Sequence, residues 1–203
     1  MISDEYLNLG FNELYYLVHI DNLASIFKFG LLSKNEIISK NLYYTDISNK
    51  NVQIRRDSKP IGGYQLHDYV NLFFYPRNSM LYELQSNYLI TEICILVLNI
   101  DVLNKNDVFV SDGNCASENT NIYKCSDGYT KIIKDGIFNR YWVRQDRTID
   151  YEKRRKTSAE VLVLNNIKSK YIDYIIVKNE ATKQKILDLN LNVEIIINPD
   201  IFF

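Results

Sequence analysis

The sequence predicts one α+β domain whose strands form mixed or antiparallel sheets. The first observation behind this prediction is length, because 203 residues can bury one proper hydrophobic core. The second is that apolar residues fall mostly into short runs rich in β-branched side chains, as in strands. The third is that the few helical patterns do not alternate regularly with these runs, which argues against a doubly wound parallel sheet.

Six apolar runs predict the strands. They lie at residues 14–18, 70–75, 91–100, 160–164, 171–177 and 192–198. The run at 91–100 is apolar at successive positions and therefore on both faces, so we expect this strand at the centre of the sheet. Seven Gly and three Pro leave little room for a linker, and residues 1–203 are expected to form a single domain.

Apolar residues at helical spacing are found in four further stretches. They are residues 23–29, 77–84, 128–138 and 181–189. Asp21 or Asn22 can cap the first helix and Gly30 can end it, because these residue types satisfy or relieve helix termini. Asn179 is expected to cap the last helix in the same way.

Two polar segments, 33–64 and 112–128, show no such spacing and are expected to be irregular. The first is long for a plain connection, and long connections in compact domains are often functional. It holds the dense basic cluster of the first half of the chain. The members of that cluster are Lys50, Arg55, Arg56 and Lys59.

Charge and hydropathy restrict the classes of partner. The chain has 24 Lys and Arg against 25 Asp and Glu, so a nucleic acid must be bound by a local basic patch, for which residues 50–59 and 153–156 are candidates. No stretch reaches 18 apolar residues, so no membrane partner is expected. The acidic N-terminal residues lack a secretory apolar region, which favours a cytoplasmic location.

Cysteine and histidine usage argues against a metal centre. Cys94, Cys115 and Cys125 are odd in number and lack Cys-x-x-Cys spacing, which predicts three free thiols in a reducing compartment. Only His19 and His67 are available as imidazole ligands, so no metal site is expected. The 16 Tyr and 9 Phe can serve the core, and some can stack on nucleic-acid bases.

Glu160 is the candidate catalytic residue. A basic run at 153–156 precedes it, and it opens the short apolar strand at 160–164. A carboxylate at the mouth of such a strand lies at the edge of a cleft, where it can meet a cationic ligand or transition state. The plain alternative is a solvent-facing glutamate that begins a strand, since charged residues are mostly exposed.

The common nucleotide and hydrolase motifs are absent. The sequence has no GxGxxG, no GxxxxGK[ST] and no GxSxG. Five other motifs follow one another instead: LYYLVHIDNL at 14–23, VQIRR at 52–56, LHDYV at 66–70, PRNSMLY at 76–82 and AEVLV at 159–163. The first three have plain interpretations: His19 as a core or capping histidine, Arg55 and Arg56 as a solvated pair, and His67 as part of a local turn.

In this order and spacing the motifs resemble the DarT family, bacterial DNA ADP-ribosyltransferase toxins of toxin–antitoxin systems. The resemblance covers nearly the whole chain. It implies an ADP-ribosyltransferase-like fold, with two facing mixed β-sheets around an NAD cleft and peripheral helices. It also implies NAD as substrate without a metal, single-stranded DNA and a DarG-like macrodomain antitoxin as partners, and a bacterial cytoplasmic location.

The resemblance further assigns roles to residues. It implies Glu160 as the catalytic carboxylate and Arg56 as the residue that contacts NAD and helps deprotonate the target base. The implied NAD-binding residues are Tyr16, Leu17, Val18, His19, Asn22, Ser25, Arg56 and Tyr69. The implied DNA-binding residues are Arg55, His67, Arg77, Met80, Trp142, Arg154 and Arg155. Residues 40–59 would cover the NAD, and residues 119–160 would hold the loop that presents DNA.

The chain departs from the family pattern at three positions. Tyr16 stands where the family often has His, Asn71 replaces the Pro after Tyr-Val, and Ser79 replaces the Pro before Met-Leu. Thymine is the favoured target base and guanine the alternative. RNA, protein or water as acceptor, and a non-catalytic nucleic-acid-binding module, stay open as hypotheses. The presence of both Arg56 and Glu160 argues against the last of these.

Overall fold

In the computed structural model, which describes residues 1–57, 59–87 and 90–203, a large sheet forms the centre of the molecule. Its strands and those of two small sheets are β1 (Glu13–His19), β2 (Leu31–Leu32), β3 (Pro60–Ile61), β4 (Tyr64–Gln65), β5 (Tyr69–Phe73), β6 (Ile93–Asn99), β7 (Val108–Ser111), β8 (Ile122–Lys124), β9 (Glu160–Leu164), β10 (Asn166–Ile167), β11 (Ile172–Val177) and β12 (Glu194–Ile197). The helices are α1 (Ile2–Asn8), α2 (Leu23–Phe29), α3 (Lys34–Ser39), α4 (Lys50–Asp57), α5 (Ser79–Asn87), α6 (Cys125–Gly128), α7 (Lys134–Ile137), α8 (Tyr151–Lys156) and α9 (Glu180–Leu187).

The large sheet has eight strands in the order β12-β11-β6-β1-β5-β9-β7-β8. Among the described strands only β11 and β12 are parallel, so the sheet is mixed, as the sequence predicts. β6 lies between β1 and β11 and is buried along almost its whole length, which confirms it as a central strand. β2 pairs with β10, and β3 pairs with β4.

The sheet is nearly divided in its middle. β1 pairs with β6 at seven successive positions, but it pairs with β5 at one position, Tyr15 opposite Phe73. The strands therefore fall into two halves of four, β12-β11-β6-β1 and β5-β9-β7-β8. The mixed α+β architecture is as expected, whereas the ladders join the eight strands into one sheet, and two separate facing sheets are not shown.

Both faces of the sheet are covered by apolar packing. Alternate residues of β6 enter two different core clusters, Cys94, Leu96 and Leu98 in one and Ile93, Ile95 and Val97 in the other. Because successive side chains of a strand point to opposite faces, this division follows directly from the continuous apolar run. The burial on both faces makes β6 the rigid base from which β1 reaches the cleft.

Helix ends follow the predicted chemistry in part. Asn179 caps α9, since its Oδ1 accepts a hydrogen bond from the Thr182 N–H at 3.0 Å. Gly30 ends α2 with φ of +87°, a conformation that favours glycine. Asn22 precedes α2 but makes no side-chain cap; its amide exchanges hydrogen bonds with the backbone of Thr45 instead.

The irregular segments are where the sequence-based prediction is wrong. Residues 33–64 contain α3 and α4, and residues 112–128 contain β8 and α6. The expected helix at 128–138 is reduced to α7, and the basic run before Glu160 forms α8, which Asp150 caps through the Lys153 N–H. These helices are short and polar, so tertiary contacts rather than an apolar stripe stabilise them. No helix among the described residues has the length and apolar character needed to cross a bilayer.

Candidate active site

Glu160 is placed by the first pair of a buried strand. It opens β9 and stands opposite Phe73 of β5, close to the division of the sheet. Only 1% of its surface is exposed, so it is not the solvent-facing glutamate of the plain alternative. A carboxylate buried to this degree requires cationic or hydrogen-bonding partners.

Arg56 of α4 is the cationic partner. Its Nη1 lies 3.1 Å from Oε1 and 2.9 Å from Oε2 of Glu160, so one nitrogen bridges both carboxylate oxygens. The Arg56 residue is itself 4% exposed. Burial is the largest single influence and lowers the pKa of Arg56, but the charge and hydrogen bonds of Glu160, together with the influence of Cys115, outweigh it, so the pKa is raised. Arg56 therefore stays protonated and positively charged at the base of the site.

Two further groups hold Glu160: the Cys115 N–H contacts its carboxylate, and the Ser111 hydroxyl contacts its backbone N–H. The Cys115 N–H donates to Oε1 of Glu160 at 2.9 Å. The Ser111 hydroxyl accepts from the Glu160 N–H at 2.9 Å and donates to the carbonyl of Gly113 at 2.7 Å. Oε1 thus receives two donors, while Oε2 receives one, from Arg56. The second lone pair of Oε2 is left for a ligand.

A cavity of about 430 Å³ opens beside this pair, at the division between the two halves of the sheet. Among its walls are residues of β1, β5, α4, α5 and the loop before α4. Those that the resemblance also assigns to the site are Tyr16, Leu17, Val18, Asn22, Arg56, His67, Tyr69, Met80 and Glu160. This volume lies within the usual range for small-molecule sites. The structure therefore brings both candidate catalytic residues and most candidate NAD-binding residues to one cleft.

Two tyrosines on the cleft walls keep their protons. Desolvation raises the pKa of Tyr16 to about 12, and burial likewise raises that of Tyr69 to about 12. The Tyr69 hydroxyl donates to the carbonyl of Ile61 at 2.9 Å, which joins β5 to β3. Tyr16 therefore remains a neutral hydrogen-bond donor in the cleft, which suits a ribose or an amide.

Two predicted NAD-binding residues lie beside the main cavity. Ser25 lines a smaller recess of about 50 Å³ that shares Tyr16, Val18 and Asn22 with the main cavity. His19, at the end of β1, is buried, and its Nδ1 accepts from the Asp21 N–H at 3.2 Å. That bond fits the capping interpretation of His19, and its role toward NAD stays a prediction.

His67 lies on the cleft wall between two polar partners. Its Nε2 is 2.8 Å from Oε1 of Gln53, and its Nδ1 is 2.6 Å from Oδ1 of Asp57. Burial lowers the pKa of the imidazole, and the positive charges of Lys34 and Arg56 add to this effect while Asp57 opposes it. His67 is therefore mainly neutral near pH 7.

The remaining predicted DNA-binding residues are scattered around the cleft. Arg55 is exposed on α4. Arg77 is buried and donates to the carbonyls of Arg140, Ile201 and Phe202. Trp142 is buried against Tyr82 and Phe203.

The two arginines of α8 differ in how they are engaged. Arg154 is partly exposed. Arg155 pairs with Asp112 and Glu152 at 2.8 Å each. The structure thus gives Arg77, Trp142 and Arg155 structural contacts, and DNA binding by these residues stays a prediction.

Three elements of the site have no clear signature in the sequence. The Cys115 N–H is a backbone donor, so the residue type does not reveal it. Ser111 lies in β7, a short strand that the hydropathy pattern does not mark. Lys59 is grouped by sequence with a basic surface cluster, yet its Nζ donates to the carbonyls of Cys115 and Ser117 at 2.7 and 2.6 Å.

The three cysteines are buried and form no disulfide with one another. Within the described ranges, no group of three or more His, Cys, Asp or Glu side chains is arranged to hold a metal ion. The side chains that the cleft offers for chemistry include the Glu160 carboxylate, the Arg56 guanidinium, the His67 imidazole and several hydroxyl and amide groups.

The sequence matches a family model described as DarT, ssDNA thymidine ADP-ribosyltransferase, over residues 15–203. A DNA ADP-ribosyl transferase–DNA ADP-ribosyl glycohydrolase fusion protein of Thermosipho africanus is 33% identical over 200 residues, which are 95% of this chain and 50% of the relative. A DNA ADP-ribosyl transferase of Thermus sp. strain 2.9 is 28% identical over 190 residues, 87% of this chain and 86% of the relative. The chain thus spans about half the length of the fusion protein.

Solved structures match the same part of the chain. Thermosipho africanus DarTG in complex with ADP-ribose superposes with a TM-score of 0.81 at 31% identity, covering 95% of this chain and 51% of that one. Thermus sp. 2.9 DarT in complex with ADP-ribosylated ssDNA gives a TM-score of 0.81 at 23% identity, covering 96% and 97%. At the lower identity the second likeness supports the fold alone.

Proposed function

The chain belongs to the DarT family of ssDNA thymidine ADP-ribosyltransferases, and from this premise we propose that it transfers ADP-ribose from NAD to a thymine in single-stranded DNA. The observation that supports this most directly is the buried pair of Glu160 and Arg56 at the floor of the cleft. A carboxylate held there can face the glycosidic carbon of a dinucleotide. The two halves of the sheet that flank the cleft would correspond to the facing sheets of the ADP-ribosyltransferase fold.

The reaction breaks the bond between nicotinamide and ribose, and positive charge develops on the sugar as nicotinamide leaves with the bonding electrons. This resembles the transition state of glycoside hydrolysis. A fixed carboxylate stabilises that charge more than it stabilises the ground state, which is the condition for catalysis. Oε2 of Glu160, with one protein donor, would accept the hydrogen bond of a ribose hydroxyl.

Nicotinamide in NAD is already cationic, so its departure needs no proton from the protein, and one carboxylate suffices. As its bond to the sugar forms, the attacking ring nitrogen of the base loses its proton to solvent, while nicotinamide leaves as a neutral molecule. The raised pKa of Arg56 favours a role in holding Glu160 and the NAD diphosphate by charge-assisted hydrogen bonds. The resemblance also implies that Arg56 assists deprotonation of the base, and we propose this second role separately.

The partners follow from the family and the relatives. The Thermosipho africanus relative is described as a fusion of a transferase with a DNA ADP-ribosyl glycohydrolase, and this chain spans about half of it. We therefore propose a toxin role, in which adducts on DNA block replication, and a DarG-like macrodomain antitoxin that removes them. Expression of the chain in bacteria should arrest growth, and co-expression of the antitoxin should relieve the arrest.

The decisive test uses NAD and four single-stranded oligonucleotides, each lacking one of the four bases. Mass spectrometry should detect one added ADP-ribose on every oligonucleotide except the one without thymine, and none on a duplex. Glu160→Ala should reduce the rate by at least roughly 10²–10³-fold, the range seen when an electrostatic stabiliser is removed. Labelling of the thymine-free strand would indicate guanine or another base, and labelling of RNA or protein, or nicotinamide release alone, would reject DNA as the acceptor.

A further inference from the structure

We infer that Lys59 is a positioning residue for the catalytic carboxylate: it holds the turn at residues 113–117 so that the Cys115 N–H fixes Oε1 of Glu160. This inference rests on the proposed function, because it assigns Lys59 a part in the same reaction. Lys59 does not touch Glu160, and its effect is transmitted through residue 115.

The geometry is a short chain of hydrogen bonds. Lys59 Nζ donates to the Cys115 carbonyl at 2.7 Å and to the Ser117 carbonyl at 2.6 Å. On its other side, residue 115 donates its N–H to Oε1 of Glu160 at 2.9 Å. Residue 115 is thus held at its carbonyl by the ammonium and at its N–H by the carboxylate.

The backbone of Lys59 is anchored as well. Its N–H donates to the Arg56 carbonyl at 3.3 Å, and its carbonyl accepts from the Leu66 N–H at 3.0 Å. Within the described part of the chain, no carboxylate forms an ion pair with Lys59, so backbone oxygens are its acceptors. An ammonium group that bridges two carbonyls of one turn fixes the shape of that turn.

The consequence for Glu160 is a fixed rotation of its carboxylate. Arg56 contacts both oxygens through one nitrogen, which by itself holds the carboxylate plane only weakly. The Cys115 N–H fixes that plane, because it holds one of the two equivalent oxygens and leaves the other for the ribose. A looser turn would hold the carboxylate less firmly without altering the cleft walls that would bind the dinucleotide.

Lys59→Met removes the ammonium while keeping the length of the side chain. Since small misplacement of a catalytic group can cost up to about 10²-fold in rate, we expect kcat to fall about 10- to 100-fold, with KM for NAD within about twofold. Lys59→Arg can still donate to two carbonyls and should recover most of kcat. Lys168→Met, which removes an exposed ammonium directly after β10, is the matched control and should behave like the unchanged protein.

A spectroscopic test needs no activity. The chain has three cysteines, so labelling with ¹⁵N-cysteine gives three amide signals, and Cys115→Ser identifies one by its loss. A charge-assisted hydrogen bond to Glu160 places the Cys115 amide proton downfield. Lys59→Met should move this signal upfield and leave the Cys94 and Cys125 signals in place, which also shows that the variant is folded.

The outcomes separate this inference from the proposed function. If the unchanged protein transfers no ADP-ribose, the proposed function fails, and the amide signals still test the link between Lys59 and Cys115. If the unchanged protein is active and Lys59→Met keeps its kcat or its Cys115 signal, the inference alone is overturned. It is also overturned if Lys59→Met shifts all three signals or raises KM as much as it lowers kcat, because Lys59 would then support the fold generally.

Discussion

At the scale of single residues, the ion pair of Arg56 and Glu160, to which we assign a catalytic role, carries a cost in stability. Both side chains are almost fully buried, and removing two charges from water is expensive even when they meet. Such a pair is weak evidence for stability and better evidence for chemistry at the site. The cost becomes visible when one partner is removed.

Arg56→Met should destabilise the fold by about 3–5 kcal/mol, because it leaves the Glu160 carboxylate buried without its cation. The double variant Arg56→Met/Glu160→Met should recover most of that loss, since it buries no charge. Urea denaturation followed by circular dichroism measures both free energies of unfolding. Equal stability of the single and double variants would show that the carboxylate finds water or another donor when Arg56 is absent.

His67 provides a prediction on pH. Its pKa is lowered in the folded protein, by burial first and then by Lys34 and Arg56, so the unfolded chain binds the proton more tightly. The stabilisation of the folded state by neutral His67 is therefore fully present above its ordinary pKa. It is lost as the pH falls from about 6.5 toward the lower pKa that His67 has in the folded protein. The melting temperature should fall less steeply between pH 7.5 and 5 in His67→Gln than in the unchanged protein. Parallel pH curves would contradict the burial of a neutral imidazole.

The sequence points to candidate site residues that carry their chemistry in a side chain within a motif. The position of Glu160 at the start of a strand suggests it, and the resemblance carried by the AEVLV and VQIRR motifs implies the roles of Glu160 and Arg56, which stay predictions. Neither the Cys115 N–H nor the inward course of Lys59 can be found this way. A backbone donor has no residue type, and the direction of a lysine side chain depends on contacts with a turn 56 and 58 residues away in the sequence.

At the scale of elements, the long buried strands are predicted better than the short polar helices for a physical reason. β6 and β9 are buried on both faces, so their sequences are continuous apolar runs, too short and too rich in β-branched residues for a helix. α4 and α8 are mainly polar, and neither has an apolar face from which a helix can be predicted. They fold because capping and tertiary contacts compensate for weak intrinsic preference.

Two glycines with positive φ, Gly30 at the end of α2 and Gly63 between β3 and β4, allow a matched comparison. Gly30 and Gly63 have nearly the same φ, +87° and +89°, but a Cβ on Gly30 would lie 2.5 Å from the Ile167 carbonyl oxygen, while one on Gly63 would meet no atom within 4 Å. Gly63→Ala should cost about 1–2 kcal/mol, from backbone strain alone. Gly30→Ala should cost clearly more, because β10 must also shift. Equal losses by urea denaturation would show that the contact between Gly30 and Ile167 relaxes freely.

At the scale of the whole molecule, a net charge of −1 means that the DNA binding proposed above would require a local group of cations. The segment from Arg140 to Arg154 contains several exposed basic side chains, Arg147 and Lys153 among them, together with the exposed rings of Tyr141 and Tyr151. Cations with interleaved aromatic rings suit a single strand, whose phosphates and bases are both accessible.

The double variant Arg147→Gln/Lys153→Gln tests this surface through the salt dependence of DNA binding. The slope of log K against log salt should become shallower by about 0.7 for each phosphate contact that is lost. Lys183→Gln/Lys185→Gln on α9 makes the same change of charge elsewhere and should leave the slope unchanged. Identical slopes for both double variants would place the DNA on another face.

The single backbone pair between Tyr15 and Phe73 has a further consequence. Few backbone hydrogen bonds join the two halves of the sheet at this boundary. The halves must therefore be held together by groups that contact both of them. A ligand that contacts β1 in one half and β9 in the other would link the two halves, and its release would leave them freer to move relative to each other. Amide hydrogen exchange in β1 and β5, the strands on either side of this boundary, should then slow in both halves when the ligand is bound.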